Sequence, residues 1–141
     1  MTRGTLAVLL HRLAGEPAPE SAALRLADVA AGAWNAQAIA WCVERGILPG
    51  GTPDSFAPDR PATREELAAG PYHLTAALGG DVSAAGGSAF QDLAQVSPWV
   101  EAAVLWAEAS GILQGNNGYL NPQGQLTRAQ LAAVLMRYLA G

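Results

Sequence analysis

The chain has 141 residues, half of them apolar and 14% charged, with a formal net charge of −4 and no lysine. That length suits one domain or a few small repeats sharing a core, and the acidic balance argues against a nucleic-acid partner, which calls for a basic face. Cys42 is the single cysteine, which excludes an internal disulfide, and no run approaches the roughly 20 apolar residues of a membrane span, so no membrane insertion is expected.

The first predicted element is a helix over residues 3–14, with Leu6, Leu9, Leu10 and Leu13 at helical spacing and Gly15 ending it. Met1-Thr2-Arg3 runs into this capped amphipathic helix and not into a signal peptide, so any export signal is expected outside these residues. Two prolines make 16–21 a linker. A helix carrying Trp34 and Trp41 follows, seven residues apart and therefore on one face. Cys42 lies there among apolar residues and is expected as a buried thiol. Gly46 is placed as the residue after the helix end, and 50–55 reads as a turn. The next helix starts at Thr63-Arg64, and Pro71 is expected to kink or interrupt it. Residues 79–88 are a glycine-rich linker. A second Trp helix, with Trp99 and Trp106, leads to Gly111 and to the turn 115–118. The last helix follows the helical template cleanly through Leu131, Val134, Leu135, Tyr138 and Leu139. No real sheet is expected.

Two kinds of repetition organise the chain. Thr-Arg-x-x-Leu-Ala occurs three times, as Thr2-Arg3-Gly4-Thr5-Leu6-Ala7, as Thr63-Arg64-Glu65-Glu66-Leu67-Ala68, and in Leu126-Thr127-Arg128-Ala129-Gln130-Leu131 continuing into Ala132. Each Thr is placed to cap a helix, and Glu66 and Gln130 complete capping boxes that Thr5 leaves incomplete. The Arg falls at the first helical position, where the helix dipole disfavours a cation. A recurring unfavourable choice suggests that the guanidinium is wanted beside free helix-end N–H groups to grip an anion. The alternative, that each Arg pairs with a carboxylate and ties the repeat together, stays open. A longer repeat of about 64 residues, with slips of one, aligns Leu26-Ala27-Asp28 with Phe90-Gln91-Asp92, Trp34 and Trp41 with Trp99 and Trp106, and Arg45-Gly46-Ile47-Leu48-Pro49-Gly50 with Ser110-Gly111-Ile112-Leu113-Gln114-Gly115. Phe56-Ala57-Pro58 aligns with Leu120-Asn121-Pro122.

These residues resemble the S-layer homology repeat: an aromatic-x-Asp start, two spaced aromatics, Gly-Ile-Leu-x-Gly, a loop ending in x-Pro, and Thr-Arg-x-x-Leu/Phe-Ala. The match makes 1–15 the second half of a first repeat, 24–79 a second repeat and 88–141 a third. The resemblance implies an all-α, mainly helical fold: a pseudo-threefold helical repeat bundle with long loops and an incomplete first repeat. It also implies grooves that bind anionic secondary cell-wall polysaccharide, often pyruvylated, with Arg3, Arg64 and Arg128 as ligand contacts. A ketal carboxylate would suit a guanidinium with two hydrogen bonds. Trp34 and Trp99 could offer flat faces to a sugar or serve as core residues. Asp28 and Asp92 could touch sugar, cap helix starts or pair with arginine.

The function expected is a non-catalytic, cell-surface anchoring module, extracellular in the wall or S-layer, without cofactor or metal. The alternative is a structural or self-assembly module of an S-layer or exported protein that binds no glycan. His11 and His73 sit on different helices with no metal-ligand companion, and neither a nucleophile elbow nor a phosphate loop is present. An isolated chain is expected to expose apolar surface beside the Leu6–Leu13 face and to self-associate through its incomplete first repeat.

Overall fold

A computed structural model describes residues 1–19, 26–30, 32–48, 54–84 and 86–140. Within them lie five α-helices: α1 (Arg3–Leu13), α2 (Ala36–Glu44), α3 (Arg64–Ala77), α4 (Glu101–Ala109) and α5 (Arg128–Ala140), with two 3₁₀ turns, Leu93–Gln95 and Pro98–Val100. Extended pairing among the described residues is limited to the isolated bridges Thr2–Pro61, Thr63–Gln125 and Asn116–Tyr119. Residues 20–21 of the expected linker and 50–53 of the expected turn lie outside the described residues.

Local chemistry sets the helix ends. At α3, Glu66 Oε1 accepts from the Thr63 N–H and hydroxyl, both at 2.9 Å. At α5 the reciprocal pair is complete, Thr127 N–H to Gln130 Oε1 at 2.9 Å and Gln130 N–H to Thr127 Oγ1 at 3.2 Å. At α1 the Thr5 N–H reaches Thr2 Oγ1 at 3.2 Å, but no acidic or amide side chain returns the bond. The helices α2 and α4 end alike: Gly46 and Gly111 take positive φ of 71° and 74°. The N–H of Ile47 then bonds the Cys42 carbonyl, and that of Ile112 the Ala107 carbonyl. This six-to-one closure needs a left-handed residue, which glycine supplies without steric cost.

The chain divides into two compact units, Met1–Ala62 and Thr63–Gly141. The division does not follow the sequence repeats. In the first unit α1 packs on α2, and in the second α3 packs on α4 and the 3₁₀ turn before it. Each unit therefore joins the Thr-Arg helix of one repeat to the Trp helix of the next. The contacts correspond: His11 lies 5.4 Å from the Trp41 ring, and Tyr72, at the matching position of α3, meets Trp106 edge-on at 5.9 Å. Leu6, Leu10, Ile39, Leu48 and Phe56 form the buried core of the first unit, and Leu67, Val100, Val104, Leu120 and Leu131 that of the second. The glycine-rich stretch 79–88 lies inside the second unit and does not divide the two.

Three expectations need correction. Pro71 does not interrupt its helix: α3 runs on through it to Ala77. The missing N–H removes one ladder bond, but the ring is fully buried, so its apolar contact offsets that loss. The paired tryptophans do not share a helix face, because α2 and α4 begin after Trp34 and Trp99. Trp41 and Trp106 are buried while Trp34 is 71% exposed and Trp99 44%. Finally, the apolar face of α1 is covered by α2, with Leu6 and Leu10 buried. The large apolar side chains left exposed on a helix are Met136 and Leu139 of α5.

Candidate functional site

Asp28 and Asp92 hold the loops in front of the Thr-Arg helices. Asp28 accepts the N–H groups of Phe56 and Ala57 at 2.9 and 2.7 Å, one on each carboxylate oxygen. Asp92 accepts those of Leu120 and Asn121 at the same two distances. The N–H of Phe56, burial opposing it, and the N–H of Ala57 hold the Asp28 carboxyl below the ordinary range. For Asp92, burial raises the pKa, but the Leu120 and Asn121 bonds outweigh it and the net shift is downward. Carboxyls with a lowered folded-state pKa stabilise the fold above their ordinary pKa, and that contribution is lost as pH falls through the folded value.

The clamped loops then use the helix starts. The N–H groups of Arg3 and Gly4 donate to the carbonyls of Arg60 and Pro58, both at 2.9 Å, and those of Arg64 and Glu65 to Gly124 and Pro122 at 3.0 and 3.1 Å. The free N–H groups expected at these helix ends are thus taken up by the protein itself. What is left for an anion at α3 is the guanidinium.

The three arginines have different surroundings. Arg3 is 2% exposed; its Nε donates to the Phe56 carbonyl at 3.1 Å and its guanidinium lies 4.4 Å over the Phe56 ring. Burial, with Arg60 nearby, lowers its pKa to about 10. Arg64 is half-buried, and its Nε is buried without a hydrogen-bond partner among the described residues. Leu120 stands where the first unit has Phe56, so the ring that Arg3 covers has no counterpart here. Arg128 is exposed on the first turn of α5.

Arg64 opens into a groove of the second unit, walled by Leu67 of α3, by Leu113, Gln114, Gly115 and Asn116, and by Gln130 and Arg137 of α5. The lining contains two arginines and no acidic side chain among the described residues. Gly115 is needed for the loop's path, since a Cβ there would stand 2.5 Å from the Tyr119 carbonyl oxygen and 2.6 Å from the Phe90 ring. Of the residues singled out from sequence, Arg64 alone lines this groove; Arg3, Arg128, Trp34, Trp99, Asp28 and Asp92 do not.

Sequence reasoning missed two contributors. Glu65, 4% exposed, accepts the Ser97 N–H at 2.8 Å, the Ser97 hydroxyl at 2.6 Å and Gln123 Nε2 at 3.2 Å. It fixes the turn that carries Trp99 to the residue beside Arg64. Arg137 was hidden because it lies beyond the Thr-Arg-x-x-Leu-Ala motif: the matching position holds Arg12 in α1 but His73 in α3, so the arginine recurs in two of the three helices without being part of the pattern.

The S-layer homology domain family matches residues 25–68 and 89–132, more than half of the chain. The chain belongs to this family, whose members are cell-surface anchoring modules. It is also 37% identical over 117 residues to the surface-layer 125 kDa protein of Lysinibacillus sphaericus, a match covering 78% of this chain and 9% of that protein. The chain therefore spans about a tenth of that relative's length. No helix among the described residues is long and apolar enough to cross a membrane.

Proposed function

We propose that the chain anchors a surface protein by binding an anionic wall polysaccharide, without catalysis, and that the groove of the second unit takes the acidic sugar. The observation that carries this reading is the Arg64 side chain: a buried Nε with no hydrogen-bond partner among the described residues, in a groove whose described lining has no carboxylate to neutralise it. Hydrogen bonds between ionised partners are the strong ones, and a guanidinium meets a carboxylate through two of them. A pyruvyl ketal presents such a carboxylate on a sugar ring. In the same unit Trp99, 44% exposed, offers an apolar face to a longer glycan, and Trp34, 71% exposed, offers one in the first unit.

Arg3, Asp28 and Asp92 have structural roles in this reading, because their polar atoms are engaged by Phe56, Ala57, Leu120 and Asn121. The test is binding to purified wall polymer before and after removal of the ketal carboxylate, using the intact chain and Arg64→Ala. Binding is expected to fall about tenfold or more in either case, the loss of a charge-assisted pair. Equal binding of both polymers by the intact chain would sink the proposal and leave a structural or self-assembly role.

A further inference from the structure

We infer that Arg137 is the second cation of this groove and that the acidic group of the ligand is shared between Arg64 and Arg137. The inference rests on the reading of the groove given above and adds a residue that neither the repeat motif nor the family match marks.

Arg137 projects from the last third of α5 into the groove that Arg64 enters from the first turn of α3. Its one described bond is long, Nη1 to the Ile112 carbonyl at 3.3 Å, so one N–H of a five-donor fork is spent there. Ile112 follows the helix end at Gly111, and a cation beside helix-end carbonyls gains from the dipole. That bond ties the guanidinium to the residue before the loop 113–116, whose amides Gln114 and Asn116 also line the groove. Two guanidinium groups lining one groove with no acidic residue repel each other, and an anion between them removes that repulsion while gaining both attractions. A carboxylate oxygen pair has enough acceptor sites for two forks. Leu67, Leu113, Leu120 and Val134 give the lining apolar surface that suits the methyl side of a ketal, beside the Gln130 amide. The ligand class is thus a compact anionic substituent carried on an apolar-faced ring, and a plain acidic chain would use less of the groove.

Position 137 also separates the three Thr-Arg helices. Its counterpart Arg12 sits 3.7 Å from Glu16, and His73 is lowered in pKa by burial. Arg137 instead lines a groove with no acidic side chain among the described residues.

A purely structural Arg137 would cap the Ile112 carbonyl and nothing more. Arg137→Gln removes the charge and keeps a polar amide, and the melting temperature reports whether the bond to that carbonyl matters to the fold, so the two roles are read separately. The probe is the methyl glycoside of a 4,6-pyruvyl-ketal hexose, titrated calorimetrically against the full chain, beside its methyl ester, which is uncharged and larger by one methyl group. Expected are a drop of about tenfold or more in affinity for the acid in Arg137→Gln, little change for the ester, and an unchanged melting temperature. Arg64→Ala should show the same pattern. Unchanged acid affinity in Arg137→Gln with a loss in Arg64→Ala would overturn the shared-cation inference and leave the proposed function standing. No binding of the acid by the intact chain would overturn both. Should Arg137→Gln prove unstable, Arg137→Lys keeps the charge, and retained acid binding there is required.

Discussion

At the scale of single residues, the two x-Pro loops show how one backbone shape is reached with different side chains. Ala57 and Asn121 occupy matching positions and both adopt positive φ, 59° and 53°. The left-handed region costs an alanine roughly 1–2 kcal/mol and an asparagine less, and the Asp28 and Asp92 carboxylates hold both loops there. Ala57→Asn is therefore expected to stabilise the first unit by about 0.5–1 kcal/mol, read as a higher midpoint in urea unfolding. A lower midpoint would mean that the loop is not under that strain. The cap residues were legible in the sequence, since Thr63 with Glu66 and Thr127 with Gln130 are separated by one helical turn and nothing distant is needed to pair them. The fates of Arg3 and Arg64 were not. Their local sequences are nearly the same, and what separates them is Phe56 against Leu120, more than 50 residues along the chain.

At the scale of elements, the pairing of helices across repeats was illegible for a related reason. Periodicity marks the apolar face of α1 and of α3 but not which helix covers it. The signal that names the partner is a ring contact, His11 with Trp41 and Tyr72 with Trp106, between different residue types at matching positions. Pro71 misled because a rule about backbone hydrogen bonds was applied without the burial that offsets it. The Glu65 bridge is the element-scale feature most open to test. Replacing the buried Glu65 with Ala strips the acceptor from the half-buried N–H and hydroxyl of Ser97 and should cost about 2 kcal/mol. The first unit has Gly4 at the matching position, and a Cβ there would meet Asn35 Nδ2 at 2.7 Å. A change below about 0.5 kcal/mol in the Glu65→Ala chain, inside the range of ordinary surface substitutions, would show that Ser97 finds another partner.

At the scale of the whole molecule, Cys42 gives the first unit a reporter of its own. The thiol is fully buried between α2 and α1, its Sγ 3.8 Å from the Ala7 carbonyl, and burial raises its pKa to about 12. Because the thiolate is the reactive form, a disulfide reagent at pH 8 should label the native chain more than about a thousandfold more slowly than the unfolded one. The labelling rate should climb with denaturant as α1 leaves α2. Labelling within seconds under native conditions would contradict a closed first unit. On α5, Met136 holds the position that His11 and Tyr72 use to meet a tryptophan, and it is 66% exposed.

The border between compact units falls at Ala62 and Thr63, one residue before a helix starts, while the glycine-rich stretch 79–88 lies within the second unit. Anyone splicing such modules together, whether in the laboratory or by recombination of genes, meets two seams that look alike only on paper. A junction in the glycine-rich stretch passes through soft sequence yet parts α3 from α4 and leaves each with a naked apolar face. A junction just before Thr63 cuts through tight sequence and keeps both helix pairs whole.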